Sequence, residues 1–270
     1  MNSSNDSKRG QRPAVSVCYI VKNEAAHIEE SLRSVRWADE IVVLDSGSTD
    51  GTLDICRRYT DRVLHQDFLG HIQQKNRALE HATNEWVLSL DGDEVLSEEL
   101  AAEMQRELEA HHQSTDGFEM PRMTRYLGRW IRHGSWYPDR KLRLWRKKLG
   151  RWGGENPHDR VELDTERLRR LRHPILHYSY RDISHHVGTI DSFTTIVADE
   201  WHRKGKRPSA VAMIVKPIAK FFEVYLIKRG FLDGVAGLMI AIHTSYYIFL
   251  KHAKLRELAR PDEGDKGTGR

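Results

Sequence analysis

From residue 14 to residue 90 the chain alternates between two hydrophobic rhythms. Short apolar runs stand at residues 14–21 (AVSVCYIV), 40–44 (EIVVL), 62–65 and 86–90 (WVLSL), the length and texture of buried strands. Between them the apolar residues recur at helical spacing. Ile28, Leu32 and Val35 share one face of a helix expected over residues 24–35, with Asn23 as its cap. A second helix is expected to end near Tyr59, and a third to cover residues 72–82. This alternation predicts a parallel sheet covered by helices. Ligands of such sheets bind beyond the carboxyl ends of the strands.

The texture then changes. Residues 97–112 read as a charged helix, and residues 117–123, 127–133 and 141–145 as strands separated by Gly/Pro turns. A Gly/Pro loop dense in ionisable groups follows at residues 152–160, then a basic stretch at 163–174 and a helix over 182–204. In residues 209–228, Lys216, Lys220 and Glu223 keep to one narrow polar stripe, while Ile214, Ile218, Phe221, Phe222 and Tyr225 occupy the rest. Residues 231–250 are almost wholly apolar, nearly long enough to span a bilayer, but they contain Asp233 and His243. Three placements stay open for residues 209–250: in the membrane interface, packed on the domain or a dimer partner, or across the bilayer. No internal repeat is present.

Composition narrows the class. With 270 residues, 39% hydrophobic and 30% charged, the chain can bury a full core beneath a wet surface. Cys18 and Cys56 fall in a predicted strand and helix without metal-site spacing, which points to ordinary core residues in a reducing compartment. The first dozen residues are polar and lack an apolar h-region, so no signal peptide is expected. Net charge is +4, yet residues 122–172 carry 16 Lys and Arg against 6 Asp and Glu. That asymmetry suggests an anionic partner. No nucleic-acid module accompanies it, so no nucleic-acid partner is expected.

The candidate chemistry sits at the predicted strand ends. Asp91-Gly92-Asp93-Glu94 follows the fourth apolar run. On an extended backbone Asp91 and Asp93 would face one point, and paired carboxylates there suit Mg²⁺ or Mn²⁺ with substrate phosphates. A solvated turn is the structural alternative. Val21-Lys22-Asn23-Glu24 and the loop from Asp45 to Asp50 lie at two further strand ends, which puts three polar loops on one rim.

These three segments, in this order, resemble the inverting glycosyltransferases of family 2, which have the GT-A fold; the likeness covers roughly residues 14–180. Leu127-Gly128-Arg129-Trp130, Trp136-Tyr137-Pro138-Asp139 and Gly154-Glu155-Asn156-Pro157-His158-Asp159 resemble the lipopolysaccharide core β-1,4-glucosyltransferases called WaaE-like. Two departures stand out. Ser46 replaces the second Asp that many members carry after Asp45, and Asn156-Pro157-His158-Asp159 stands where many have a Glu-Asp base motif.

The resemblance implies a nucleotide-diphosphate sugar as donor, UDP-glucose as first choice. It implies an anionic glycolipid such as the lipopolysaccharide inner core as acceptor; the lack of a signal peptide, the basic residues 122–172 and the apolar residues 209–250 point to the cytoplasmic membrane surface as location. A homo-oligomer stays open. It places Asn23, Glu24, Asp45, Lys75, Asp91 and Asp93 on the nucleotide sugar, with Arg77 as another cation for base or diphosphate. Asp93, Asp91 and His158 would hold Mg²⁺ or Mn²⁺, and Asp159, with Glu155 second, would be the base; His158 is a third option. The organisation implied is a leader to residue 12 and a transferase domain over 13–180, with 13–112 for the donor and 113–180 for the acceptor. A helical, membrane-associating region over 181–258 and a polar tail from 259 would follow. The competing classes are a sugar nucleotidyltransferase, set low because Val21-Lys22-Asn23-Glu24 has no glycine, a nucleic-acid binder, and a catalytically silent membrane-bound protein.

Overall fold

The computed structural model describes residues 12–155 and 158–260; the side chains of residues 155–158 lie outside the description. In chain order the elements are β1 (Val15–Val21), α1 (Ile28–Ser34), β2 (Glu40–Asp45), α2 (Thr52–Cys56), β3 (Val63–His65), α3 (His71–Glu80), β4 (Trp86–Asp91), β5 (Glu94–Leu96) and α4 (Glu98–His111). Then come β6 (Gly117–Tyr126), β7 (Arg129–Trp130), β8 (Asp139–Arg146), β9 (Gly150–Glu155), β10 (His158–Leu163), β11 (Leu168–Arg170) and β12 (Ile175–His177). The helices α5 (Ile183–Arg203), α6 (Ala210–Phe222) and α7 (Gly234–Leu258) complete the chain.

The chain divides into two compact units. The first runs through Arg125 and takes up again over Pro138–Ser179. It is built on a sheet of order β3-β2-β1-β4-β8-β6-β12-β5, with β11 beside β6. The expected parallel half is present: β1 pairs with β2 and with β4, and β2 with β3, all parallel. These strands are apolar on both faces because helices cover both. Val15, Val17, Tyr19, Trp86, Leu88 and Leu90 join one core cluster with Ile28 and Leu32 of α1, and Val87 and Cys18 join another with Ala78 and Leu79 of α3. Both cysteines are buried free thiols, as expected. The second half of the sheet reverses direction at β8, antiparallel to both β4 and β6. Ser97 caps α4 by accepting from the Leu100 N–H at 3.1 Å, and Leu100, Met104 and Leu108 form its buried stripe.

Two expectations differ from the structure in this unit. The helix expected from residue 24 starts only at Ile28, with His27 at the cap position. The Gly/Pro loop expected over residues 152–160 is a two-stranded hairpin, β9 with β10.

The second unit comprises Tyr126–Tyr137 and everything from Tyr180 onward. The strand expected over residues 127–133 shrinks to Arg129–Trp130. The next backbone N–H groups, of Arg132 and His133, donate instead to the buried carboxylate of Asp233 at 3.1 and 2.7 Å. Asp182 caps α5 through the His185 N–H at 2.7 Å. Pro217 lies inside α6, which loosens after Phe222 into a π-helical turn over Glu223–Ile227. Val211, Ile214, Val215, Ile218 and Phe222 of α6 are all exposed, as is Val235 of α7. Among the described residues, one helical stretch, Gly230–Leu258, is long and apolar enough to cross a membrane by length and composition. Within the unit, the Tyr126 hydroxyl lies 2.9 Å from His186 Nδ1 and 3.2 Å from His243 Nδ1, with Trp136 and Tyr180 packed around them. Burial, then the neighbouring His243, pushes the His186 imidazole down to about 4.

Candidate active site

Because β1, β2 and β4 run parallel and adjacent, Val21, Asp45 and Asp91 end on one rim. The loops beyond β1 and β2 are joined by side-chain hydrogen bonds. Asn23 has a φ of 58°, a left-handed conformation that asparagine enters more readily than most residues. Its Oδ1 accepts from the Thr49 N–H at 2.8 Å, and its own N–H donates to Ser48 Oγ at 2.9 Å. The Glu24 N–H donates to Thr52 Oγ1 and the Ala25 N–H to Asp50 Oδ2. Asn23 therefore serves the β2 loop rather than capping α1. Asp50 holds the start of α2 through the Thr52 N–H at 3.0 Å. Buried Asp45 folds its own loop back, accepting from the Gly47 and Ser48 N–H groups at 2.8 and 3.1 Å.

Between Asp91 and Asp93 the chain turns sharply into β5, so the two-residue parity of an extended strand does not carry through. A Cβ on Gly92 would stand 2.7 Å from Glu24 Cγ; only glycine lets these two loops come so close. The two carboxylates take separate partners. Asp91 lies 3.0 Å from Lys75 Nζ and 3.2 Å from an Arg143 amino group. Asp93 lies 3.3 Å from His177 Nε2. Burial alone would raise the Asp91 carboxyl, but Lys75 and then Arg143 outweigh it and hold it well below the usual carboxylate range. Burial likewise opposes ionisation of Asp93, and the His177 ring overcomes it.

Lys75 is the junction of the site. Its ammonium, on α3, donates to Asp159 Oδ2 of β10 at 2.7 Å while touching Asp91, and it lies 4.2 Å from the centre of the Trp152 ring. Asn76 fixes that ring's strand by bonding the Trp152 backbone in both directions, at 2.8 and 2.9 Å. Behind Asp91 an ionic chain, buried at Arg143 and Glu94, runs from Arg143 to Glu94 (2.7 Å), Glu94 to Arg122 (3.1 Å) and Arg122 to half-buried Asp139 (2.7 Å). Burial works against the Arg143 charge, yet Glu94 and Asp91 raise its pKa above the ordinary arginine value.

The structure thus gathers Asp91, Lys75 and Asp159 around one ammonium and puts Asn23, Glu24 and Asp45 on the neighbouring loops. Arg77 turns away to pair with Glu80 on the exposed side of α3. The side chains of Glu155 and His158 lie outside the described residues. Two participants escaped sequence reasoning: Arg143, one cation among many in a basic stretch, and His177, whose three-residue strand β12 is too short to show a period. Among the described residues no three His, Cys, Asp or Glu side chains form a complete metal cage. Mg²⁺ or Mn²⁺ needs none, since one or two carboxylates and substrate phosphates suffice, and the Asp93 carboxylate, with His177 beside it, fits that role.

Residues 16–163 match the family described as "Glycosyl transferase family 2". The chain belongs to glycosyl transferase family 2. The match takes in every residue of the Lys75 junction, with His177 just beyond it. This glycosyltransferase is 31% identical to an uncharacterized glycosyltransferase of Rickettsia bellii, over 91% of this chain and 87% of the relative. It is 28% identical to the lipopolysaccharide core biosynthesis glycosyltransferase LpsC of Rhizobium meliloti, over 93% and 96% of the two chains. Among solved structures it resembles the mannosyltransferase PcManGT of Pyrobaculum calidifontis, in complex with GDP-Man and Mn²⁺. The TM-score is 0.54 at 17% identity, over 93% and 89% of the chains, a likeness of fold. The glycosyltransferase has the GT-A fold that its resemblance implied.

Proposed function

We propose that this family 2 enzyme is an inverting transferase. It moves a hexose, glucose as first choice, from a UDP-sugar to an anionic glycolipid such as the lipopolysaccharide inner core, at the cytoplasmic membrane surface. The observation that carries the reading is the Lys75 ammonium shared by Asp91, at the end of a parallel strand, and Asp159, on the hairpin. It brings a donor-side carboxylate and a candidate base to one point. The similarity to LpsC supports an envelope acceptor. The exposed apolar side of α6 supports membrane attachment. Transfer to another lipid-linked envelope polysaccharide is the second reading.

In this reading Asn23, Glu24 and Asp45 line the nucleoside, and Lys75 and Arg143 neutralise developing charge on the diphosphate. Asp93 and His177, with Asp91 adjacent, would hold Mg²⁺ or Mn²⁺, whose chemistry there is Lewis-acid stabilisation of the leaving group. Asp159 takes the proton of the acceptor hydroxyl as its oxygen bonds to the anomeric carbon. The bond from that carbon to the diphosphate oxygen breaks, and nucleoside diphosphate departs. A panel of nucleotide sugars, with lipopolysaccharide core and other lipid-linked acceptors, tests the proposal through released nucleoside diphosphate. Turnover by no donor, or turnover undiminished in Asp159→Asn, overturns it.

A further inference from the structure

The second unit holds a group of lysines that the proposed transfer does not use. Lys206 follows α5, Lys216 lies on α6 and Lys251 on α7. Lys206 Nζ stands 3.1 Å from the centre of the Trp201 ring. Lys251 Nζ stands 5.1 Å from the same ring and 4.9 Å from that of Tyr247. Two ammonium groups therefore share one indole, a geometry that concentrates positive charge over an aromatic floor. The His252 ring packs against Trp201 at 5.1 Å and closes one side.

Other lysines nearby are neutralised. Lys204 pairs with Glu200, Lys220 with Glu223 and Lys254 with Asp191. Among the described residues Lys206, Lys216 and Lys251 have no carboxylate within ion-pair distance. Burial lowers the pKa of Lys251, and Lys206, Lys216 and Lys220 lower it further; Lys206 feels burial and then Lys216. Like charges held together without a counter-charge cost stability, and a bound anion offsets that cost. Lys206 and Lys216 are exposed and Lys251 half-buried, so an anion has access.

We propose that Lys206 and Lys251, which share the Trp201 ring beside Tyr247, form a phosphate-binding site separate from the transfer chemistry, with the charge of Lys216 on α6 adding to it. A phosphomonoester suits it best: two negative charges against the two ammonium groups on the indole, each supplying donors that rotate to meet the oxygens. The phosphate has two sources, a lipid headgroup or a soluble ion.

The test uses the full chain with two probes. The first is inorganic phosphate, titrated by calorimetry in EDTA. The second is vesicles of phosphatidylcholine, with or without phosphatidic acid, read by co-sedimentation. Lys206→Gln and Lys251→Gln should each weaken phosphate binding by roughly fivefold, the scale of one lysine near an anionic surface. Lys206→Arg should retain binding, and circular dichroism should report unchanged helix content in all three variants. If the same variants also weaken binding to phosphatidic acid vesicles while leaving phosphatidylcholine binding alone, the phosphate is lipid-borne. If only inorganic phosphate binding falls, the site serves a soluble ion. Unchanged phosphate and vesicle binding in folded variants, or no phosphate binding by the native chain, overturns the proposal.

Discussion

Replacing Arg143 by Met should destabilise the protein well beyond a surface change, and the loss can be worked from the ion pairs. The Arg143 side chain is 3% exposed, and its partner Glu94 is fully buried. Removing one member of a buried pair costs about 3–5 kcal/mol, mostly because the other charge is left uncompensated. Here Glu94 keeps Arg122 at 3.1 Å and Asp91 keeps Lys75 at 3.0 Å. Each orphan retains one cation, so the expected loss falls to about 2–3 kcal/mol. Urea unfolding followed by tryptophan fluorescence should show it as a midpoint lowered by about 1 M. Adding Glu94→Gln removes the buried charge that lost its partner. The double variant should then be less destabilised than the single losses sum to, with a coupling of about 1 kcal/mol or more. A loss under about 1 kcal/mol for Arg143→Met, or additive single variants, would refute the view that Arg143 and Glu94 form an energetically linked pair.

Three further outcomes are expected. Asp93→Asn and His177→Ala should each abolish most transfer while leaving the urea midpoint near native, and turnover should stop in EDTA; full turnover in EDTA sinks the metal role. Asp159→Asn should lose transfer but keep UDP affinity within a few-fold, checked by calorimetry beside the turnover assay. Acidification should destabilise the second unit: His186, pushed down to about 4 when folded against an ordinary 6.5, binds protons more readily unfolded. Its contribution is therefore complete above pH 6.5 and drains away as pH falls toward 4, a loss that His186→Gln should flatten.

The parallel half of the fold was legible because strands buried on both faces write themselves as unbroken apolar runs, as residues 14–21 and 86–90 do. The closing half was not. β5 and β12 have three residues each, and pairing between them depends on contacts some eighty positions apart, which no local pattern records. The segment after Tyr126 imitates a strand, yet the N–H groups of Arg132 and His133 find their acceptor in Asp233, about a hundred residues later. At the candidate site, sequence located Asp91, Asp93, Lys75 and Asp159 but not which cation meets which carboxylate. The basic excess of residues 122–172 was misleading in part for the same reason. Arg146 and Arg167 pair with Asp116, Arg169 with Glu107, Arg170 with Glu119, and Arg122 and Arg143 with Glu94, all acids outside that window. Much of the apparent surplus is internal neutralisation rather than an advertisement to a partner.

The bonds from Asn23, Glu24 and Ala25 to Ser48, Thr49, Thr52 and Asp50 make two loops from different strand ends behave as a single part. Such a part changes only in matched steps. A new residue at Asn23 forfeits the left-handed turn and the Thr49 bond together, and a new residue at Ser48 strands the Asn23 N–H. Descendants of this chain that adopt a different nucleotide are thus expected to alter residues 23–25 and 48–52 jointly. Those that adopt a different acceptor can vary the hairpin β9–β10 around Trp152 and Asp159 without touching either loop.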